Sequence, residues 1–392
     1  MMIKPLLKGV ITALMFSVFV GCENDISVPE TTMKENSFEA STLQLYFYQN
    51  DSETKIEFET GLKWAFSFLG AELKNGAWKN ATTWQSPTLI QLNIGALGFN
   101  TNAQEQLKLL IHQFKTSEEY LEKNGIDAGR FVVCILNNSN HYYKIVGMPN
   151  TLDKYLSDRQ FLQKRAAIFE SAVALKERLI QLPLSNSSAN RLSYLSEELS
   201  GSLKDSSHQV IEREVMDIMA NGQLRFGVYD TTGQLLVGSD PNISIGGKPV
   251  KCLWCHETNI QPGFAALSSI PGYYSPAQFD SIIGVNKTTL ELYRNNLTPE
   301  NDLINPANHT KVEKLYLRYM EPSAKRLAAE WGLTAEDVEL KLKNIPTHLH
   351  PEFPAFGQLY FRNEIEAFSP YATLPSSSSA RETNDNEPNL LP

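Results

Sequence analysis

Cysteine is scarce in this chain, with four residues among 392, too few to staple a fold with disulfides. Long hydrophobic stretches are also lacking. The apolar run at residues 9–21 has 13 residues, well short of the about 20 that a membrane-spanning helix needs. Basic runs are missing: 35 Lys and Arg stand against 44 Asp and Glu, a formal charge of −9, which argues against nucleic acid as the main partner. The chain contains no Gly-rich phosphate loop, nucleophile elbow or zinc-protease helix motif. Apolar residues, by contrast, make up 42% of the chain, enough for about two domains with real cores.

The N-terminus has the layout of an export signal. Lys4 and Lys8 precede the apolar run, which ends in Phe19-Val20-Gly21-Cys22. This ending resembles a bacterial lipoprotein lipobox, with Phe19 where Leu is usual. The resemblance implies removal of residues 1–21 and a diacylglycerol on the Cys22 thiol. The polar tract 22–41 then reads as a flexible tether, with the protein held at the bacterial cell envelope, outside the cytosol, by its lipid. An ordinary signal peptide or a short anchor helix is the alternative.

The remaining pattern reads as α+β. Residues 42–184 form a mixed half. Strands are expected at 43–48, 131–136 and 142–146, the last two as a hairpin, and helices at 58–69, 104–114 and 153–180. Residues 185–188 (SNSS) suggest a boundary. Residues 190–370 read as mainly helical, with helices at 208–220, 276–294, 311–331 and 334–343, and a short hairpin at 224–229 and 234–237. The tail 375–392 is of low complexity and reads as disordered. Cys134 reads as a buried strand thiol and His141 as an exposed turn residue. Trp64, Phe66 and Phe68 read as core.

The chemistry-bearing motif is Lys251-Cys252-Leu253-Trp254-Cys255-His256. Two thiols three residues apart share one side of a helical turn, and the imidazole that follows lies beside them. At this abundance of Cys and His, a Cys-x-x-Cys-His match arises by chance about once in a thousand such chains. The motif resembles the haem-attachment site of c-type cytochromes. That implies one covalent haem c, with Cys252 and Cys255 as thioether links and His256 as the proximal iron ligand. Export fits this reading, since such haem is attached outside the cytosol. A Cys252–Cys255 disulfide, a thioredoxin-like pair and half of a zinc site are the alternatives.

The motif sits in mid-chain and the resemblance covers about ten residues, so no small-cytochrome fold follows from it. The expected distal ligand is Met320, on the C-terminal side of the motif where small cytochromes place theirs. His348, His350, His309, Met216 and Met219 are further candidates. The expectation is an electron carrier with an unidentified redox partner protein rather than an enzyme. A haem-dependent oxidoreductase or peroxidase with an open iron position, and a surface-binding lipoprotein without haem, are the alternatives.

Overall fold

A computed structural model of the chain describes residues 39–48, 53–169, 173, 175–184, 189, 192–204, 207–260, 269–297, 306–377 and 387–392. The signal segment, Cys22, nearly all of the tether and the 185–188 boundary lie outside the described residues. Helices and strands are both well represented, an α+β fold.

The first sheet has the order β2-β3-β1-β4. It contains β1 (Thr42–Tyr46), β2 (Thr82–Ser86), β3 (Leu89–Asn93) and the two-residue β4 (Ile126–Asp127), which runs parallel to β1. Alternation buries Leu43 and Leu45 on β1 and Ile90 and Leu92 on β3. Helix α1 (Lys55–Phe68) opens with a capping box. The Thr54 hydroxyl accepts from Glu57 N–H at 3.2 Å, and Glu57 Oε2 accepts from Thr54 N–H at 3.1 Å. The aromatics Trp64, Phe66 and Phe68 are fully buried core residues. Helices α2 (Ala77–Ala81), α3 (Thr101–Lys115) and α4 (Glu118–Lys123) complete this layer.

Residues 131–146 are helical, not the expected hairpin. Helix α5 (Ala128–Val132) runs into a π-helical turn, Val133–Asn137, and α6 (Ser139–Val146) follows. Asp127 caps α5 by accepting from Arg130 N–H, and Asn138 caps α6 by accepting from His141 N–H. An apolar run buried on all sides has no period by which to separate strand from helix, and here the caps decide. His141 is buried. Its Nδ1–H donates to Cys134 O at 2.7 Å, and its Nε2 accepts from Leu390 N–H at 2.8 Å.

The second sheet is an antiparallel meander in the order β10-β9-β8-β7-β6-β5. Its strands are β5 (Ala166–Ile168), β6 (Arg178–Gln181), β7 (Ser193–Ser200), β8 (Gln209–Ile218), β9 (Leu224–Tyr229) and β10 (Leu235–Leu236). Two expected helices give way here. Among the described residues of 153–180 only α7 (Leu152–Leu156) is helical before β5 and β6 begin, and 208–220 is largely β8. Glu212, Glu214 and Met216 face one side of β8 while Arg213 and Asp217 face the other, so the period of two carries no apolar signal. The sheet crosses the expected boundary, with β5 and β6 before it and four strands after it.

Helix α8 (Pro249–His256) lies against β9. Helices α9 (Pro276–Asn295), α10 (Pro306–Met320), α11 (Ala324–Trp331), α12 (Ala335–Lys341) and α13 (Arg362–Ile365) follow. The expected helix at 311–331 breaks at Pro322, and Ser323 caps α11. Helix α10 packs closely on α1 and α5 at two glycines. A Cβ on Gly61 would stand 2.7 Å from Lys311 O, and one on Gly129 2.5 Å from Leu315 O.

A smaller core at 327–371 is tied to the first sheet by buried ions. Arg326 reaches Asp127 Oδ2 at 2.6 Å, and Arg362 holds both oxygens of Glu330 at 2.8 Å. Burial opposes ionisation of Glu330, but Arg362 and Arg326 hold its carboxyl well below the usual range. The end of the tail is ordered against the core rather than disordered. Glu387 is buried and pairs with the fully buried Lys248 ammonium, and Leu391 is also buried.

Candidate functional site

Helix α8 carries the Cys-x-x-Cys-His motif over its last two turns. Lys248 is the residue before it and Pro249 fills its first position, where a missing N–H costs nothing. Val250 and Leu253 are buried beneath it. Cys252, Cys255 and His256 fall on the side that faces the second sheet, while Trp254 meets His309 and Tyr316 at ring-centroid distances of 6.1 and 5.6 Å.

The helix stops abruptly at His256. Glu257 (φ 46°) and Thr258 (φ 75°) are consecutive left-handed residues without being glycine, a strained turn that surrounding contacts must hold. The buried Arg294 holds it, donating from Nη2 to Thr258 O at 2.6 Å and from Nε to Gly222 O at 2.8 Å. The turn brings Asn259 O within 3.2 Å of His256 Nδ1, which donates to it. That bond fixes the tautomer and leaves the Nε2 lone pair as the free ligand position. Burial lowers the basicity of His256, favouring the neutral imidazole that a metal requires.

Between α8, α9 and the sheet lies a cavity of about 370 Å³, within the about 300–1,000 Å³ typical of cofactor sites. Its floor is built from cross-strand rows on one sheet face. The first is Tyr194–Met216–Phe226 and the second Ile180–Ser196–Glu214–Val228; the third, Arg178–Glu198–Glu212, lines the cavity through Arg178, with both carboxyls behind it. The floor therefore grades from apolar to charged along the strands. The Phe226 ring lies 5.1 Å from the His256 imidazole, so the motif sits over the apolar end. Phe279 and Ile283 of α9 close the side.

At the charged end Arg178 Nε lies 3.2 Å from Glu198 Oε1, and Arg178 Nη1 lies 3.8 Å from Glu214 Oε2. Ser196 donates to Glu198 at 2.8 Å. Ser239 donates to Glu212, and to Glu214 at 3.2 Å, while Asp240 N–H donates to Glu212 at 2.9 Å. Burial raises both Glu198 and Glu212, the latter to about 7; neighbouring Glu214 adds to both shifts.

The candidate ligands are scattered by the fold. Met216 lines the cavity, in the row between Tyr194 and Phe226. Met320 is buried near the end of α10 and does not line it. His309 is buried between Phe68 and Trp254, on the far side of α8. His348 donates from Nε2 to Glu321 Oε2 at 2.7 Å and stacks on Phe361, and His350 packs on Phe353. Met219 lies beside Gly70. Cys134, buried in the π-helical turn rather than in a strand, has its thiol pKa pushed up to about 12 by burial.

Neither Cys252 nor Cys255 is in a disulfide among the described residues. Burial, reinforced by Glu214, pushes the Cys252 thiol far above its ordinary range, the reverse of what a thioredoxin-like nucleophile needs. Among the described residues no group of three or more His, Cys, Asp and Glu could hold a metal ion by itself, and no helix is long and apolar enough to cross a membrane. Sequence reasoning did not find Arg178, Glu198, Glu212, Glu214 or Asn259. The available signal was the Glu212-x-Glu214-x-Met216 alternation, which a helical reading of 208–220 concealed. The chain matches no family model, no curated protein and no solved structure.

Proposed function

We propose that this protein is a membrane-anchored, c-type cytochrome-like electron carrier with one covalent haem, working outside the cytosol at the cell envelope. The observation that carries the reading is the placement of the motif. Both thiols and the imidazole line one largely apolar cavity, and Asn259 fixes the imidazole with Nε2 available. The residues fit the group: two thiols for covalent links, a neutral imidazole for iron, and apolar walls for a flat macrocycle. The bound haem supplies a ferric–ferrous couple.

This chain's residues do the rest. Cys252 and Cys255 would hold the group and His256 would ligate it. Met216, which lines the cavity, would be the second protein ligand in place of Met320, which does not. Among the other cavity side chains, Tyr194 already accepts from Asn286 Nδ2 at 2.9 Å, Glu214 is held by Ser239 and Arg178, and Lys251 lies on the same helix as His256. Phe226, Phe279 and Ile283 exclude water from the imidazole side. Cys22 anchors the body through lipid, and the net acidic chain favours a basic redox partner protein.

The test is expression with export and a haem-attachment system, followed by a haem-stained denaturing gel and a reduced-minus-oxidised spectrum. Stain that survives denaturation, and is lost in the Cys252→Ala/Cys255→Ala variant, is the expected result. A colourless protein with a Cys252–Cys255 disulfide would reject the reading. A haem protein with an exchangeable, five-coordinate iron would move it to the oxidoreductase class.

A further inference from the structure

The charged row at the end of the cavity is a poor way to build a stable sheet. Glu198 and Glu212 are direct cross-strand partners, and Glu214 is the next residue on the same face of β8. Like charges placed opposite each other on a sheet repel. Glu198 and Glu212 are 0% and 1% exposed; the Arg178 guanidinium pairs with Glu198 and Glu214, while Glu212 has only the Ser239 hydroxyl and the Asp240 N–H and no cation. Such a group cannot be fully ionised, so it holds at least one proton that a nearby charge can add or remove. Arg178 is 5% exposed and lines the cavity. Among the described residues, its Nη2 and Glu198 Oε2 have no hydrogen-bond partner.

We propose that the Glu198–Glu212 carboxyl pair takes up one solvent proton for each electron that enters the cavity, so that the protein moves a proton together with the electron. The inference rests on the haem reading above and adds a second activity to it. The electron would come from a one-electron donor protein, which is oxidised, and a bound haem would supply the ferric–ferrous couple that is reduced. One proton from water forms an O–H bond on a carboxylate oxygen of the pair, and the net charge of the site is unchanged. Reoxidation by an acceptor protein releases that proton.

The route to solvent is short. Glu212 accepts from Ser239 and from the backbone N–H of Asp240, and Asp240 is exposed. The charged groups beside the pair are Arg178 on β6, Glu214 on β8 and Asp240 after β10; Lys251 and His256 of α8 line the cavity that Arg178 and Glu214 also line. On the opposite sheet face, Glu197 is engaged with Arg165 and Arg213. Glu198 is already shifted upward and Glu212 stands near 7, so the pair is poised where a charge change alters its protonation at physiological pH. Two charges about 10 Å apart at an effective dielectric of about 20 change one another's proton affinity roughly tenfold.

The experiment is a potentiometric titration of the haem-loaded protein from about pH 5.5 to about pH 9. The midpoint potential should fall with pH, approaching about 59 mV for each tenfold change in proton concentration. Glu198→Gln and Glu212→Gln should each reduce that slope, and the double variant should abolish most of it. A pH-independent potential in the parent protein, or an undiminished slope in a haem-loaded double variant, overturns the proposal while leaving the haem reading intact. A chain that takes no haem stain overturns both.

Discussion

The two sheets of this molecule use their inner faces differently. In the first, β1 and β3 turn Leu43, Leu45, Ile90 and Leu92 into the main core, and no side chain there needs a polar partner. In the second, the equivalent alternation passes from Tyr194–Met216–Phe226 at one end to Arg178–Glu198–Glu212 at the other. Burying carboxyl groups is unfavourable unless each is fully paired, and apolar residues of similar volume are generally at least as stable. The first sheet is what a strand layer looks like when only stability is at stake. The second gives up part of that stability, and what it gains lies in the cavity under α8.

Four experiments break or sharpen this contrast. The largest effect is expected where a charge supports α8 directly. Lys248→Ala leaves the Glu387 carboxyl buried without its partner and should cost about 3–5 kcal/mol in urea unfolding. Replacing both, in Lys248→Met/Glu387→Gln, should recover most of that loss. If the single variant were as stable as the parent, the pair would carry no structural weight.

Next in size is the first sheet itself. Leu92→Ala removes a fully buried side chain and should destabilise by about 2–5 kcal/mol at every pH, because nothing nearby titrates with it. Glu212→Gln should behave in the opposite way. The Glu212 pKa is raised, so the folded chain binds more protons than the unfolded chain between the unfolded value and about 7. Stability of the parent should therefore fall as pH rises through that window, by up to about 3 kcal/mol from this group. The Gln variant should lose that part of the fall and be the more stable of the two at pH 8. Equal pH profiles for parent and variant would show that the second sheet is no more strained than the first.

The contrast also explains what could be read in advance. That Cys252, Cys255 and His256 stand together was legible because their spacing is local: three side chains near one helical turn are neighbours before any tertiary contact forms. The core of α1 and the helices from 276 onward were legible for a similar reason, since their periodicity and caps are local. Strands β6 and β8 were not. Their faces carry Arg178, Glu212 and Glu214, whose burial depends on partners from other strands, so no apolar alternation marked them. The run at 131–136 failed in the reverse sense, its uniform burial giving no period at all. The ordered end of the tail was hidden because Glu387, Pro388 and Leu390 find their partners some 140–250 residues earlier, at Lys248, Asn138 and His141.

The smallest structural effect, and the most specific one, concerns Met216, the second ligand proposed for a bound haem. Met216 is half-buried at the cavity wall, so Met216→Ala enlarges a space that already exists and should cost less than the Leu92 change. In the haem-loaded protein the same substitution should convert a low-spin spectrum to a high-spin one and expose the iron to added imidazole. Met320→Leu keeps volume in a packed helix and should cost under about 1.5 kcal/mol with no spectral change. The pair separates position in the chain from position in space. Small cytochromes draw this ligand from beyond the motif, whereas on the proposed reading this cavity would draw it from a strand 40 residues before His256, because the sheet forms its floor. A spectrum that follows Met320 and ignores Met216 would mean that α10 moves into the cavity when haem is attached, and that the second sheet is not the wall that faces the iron.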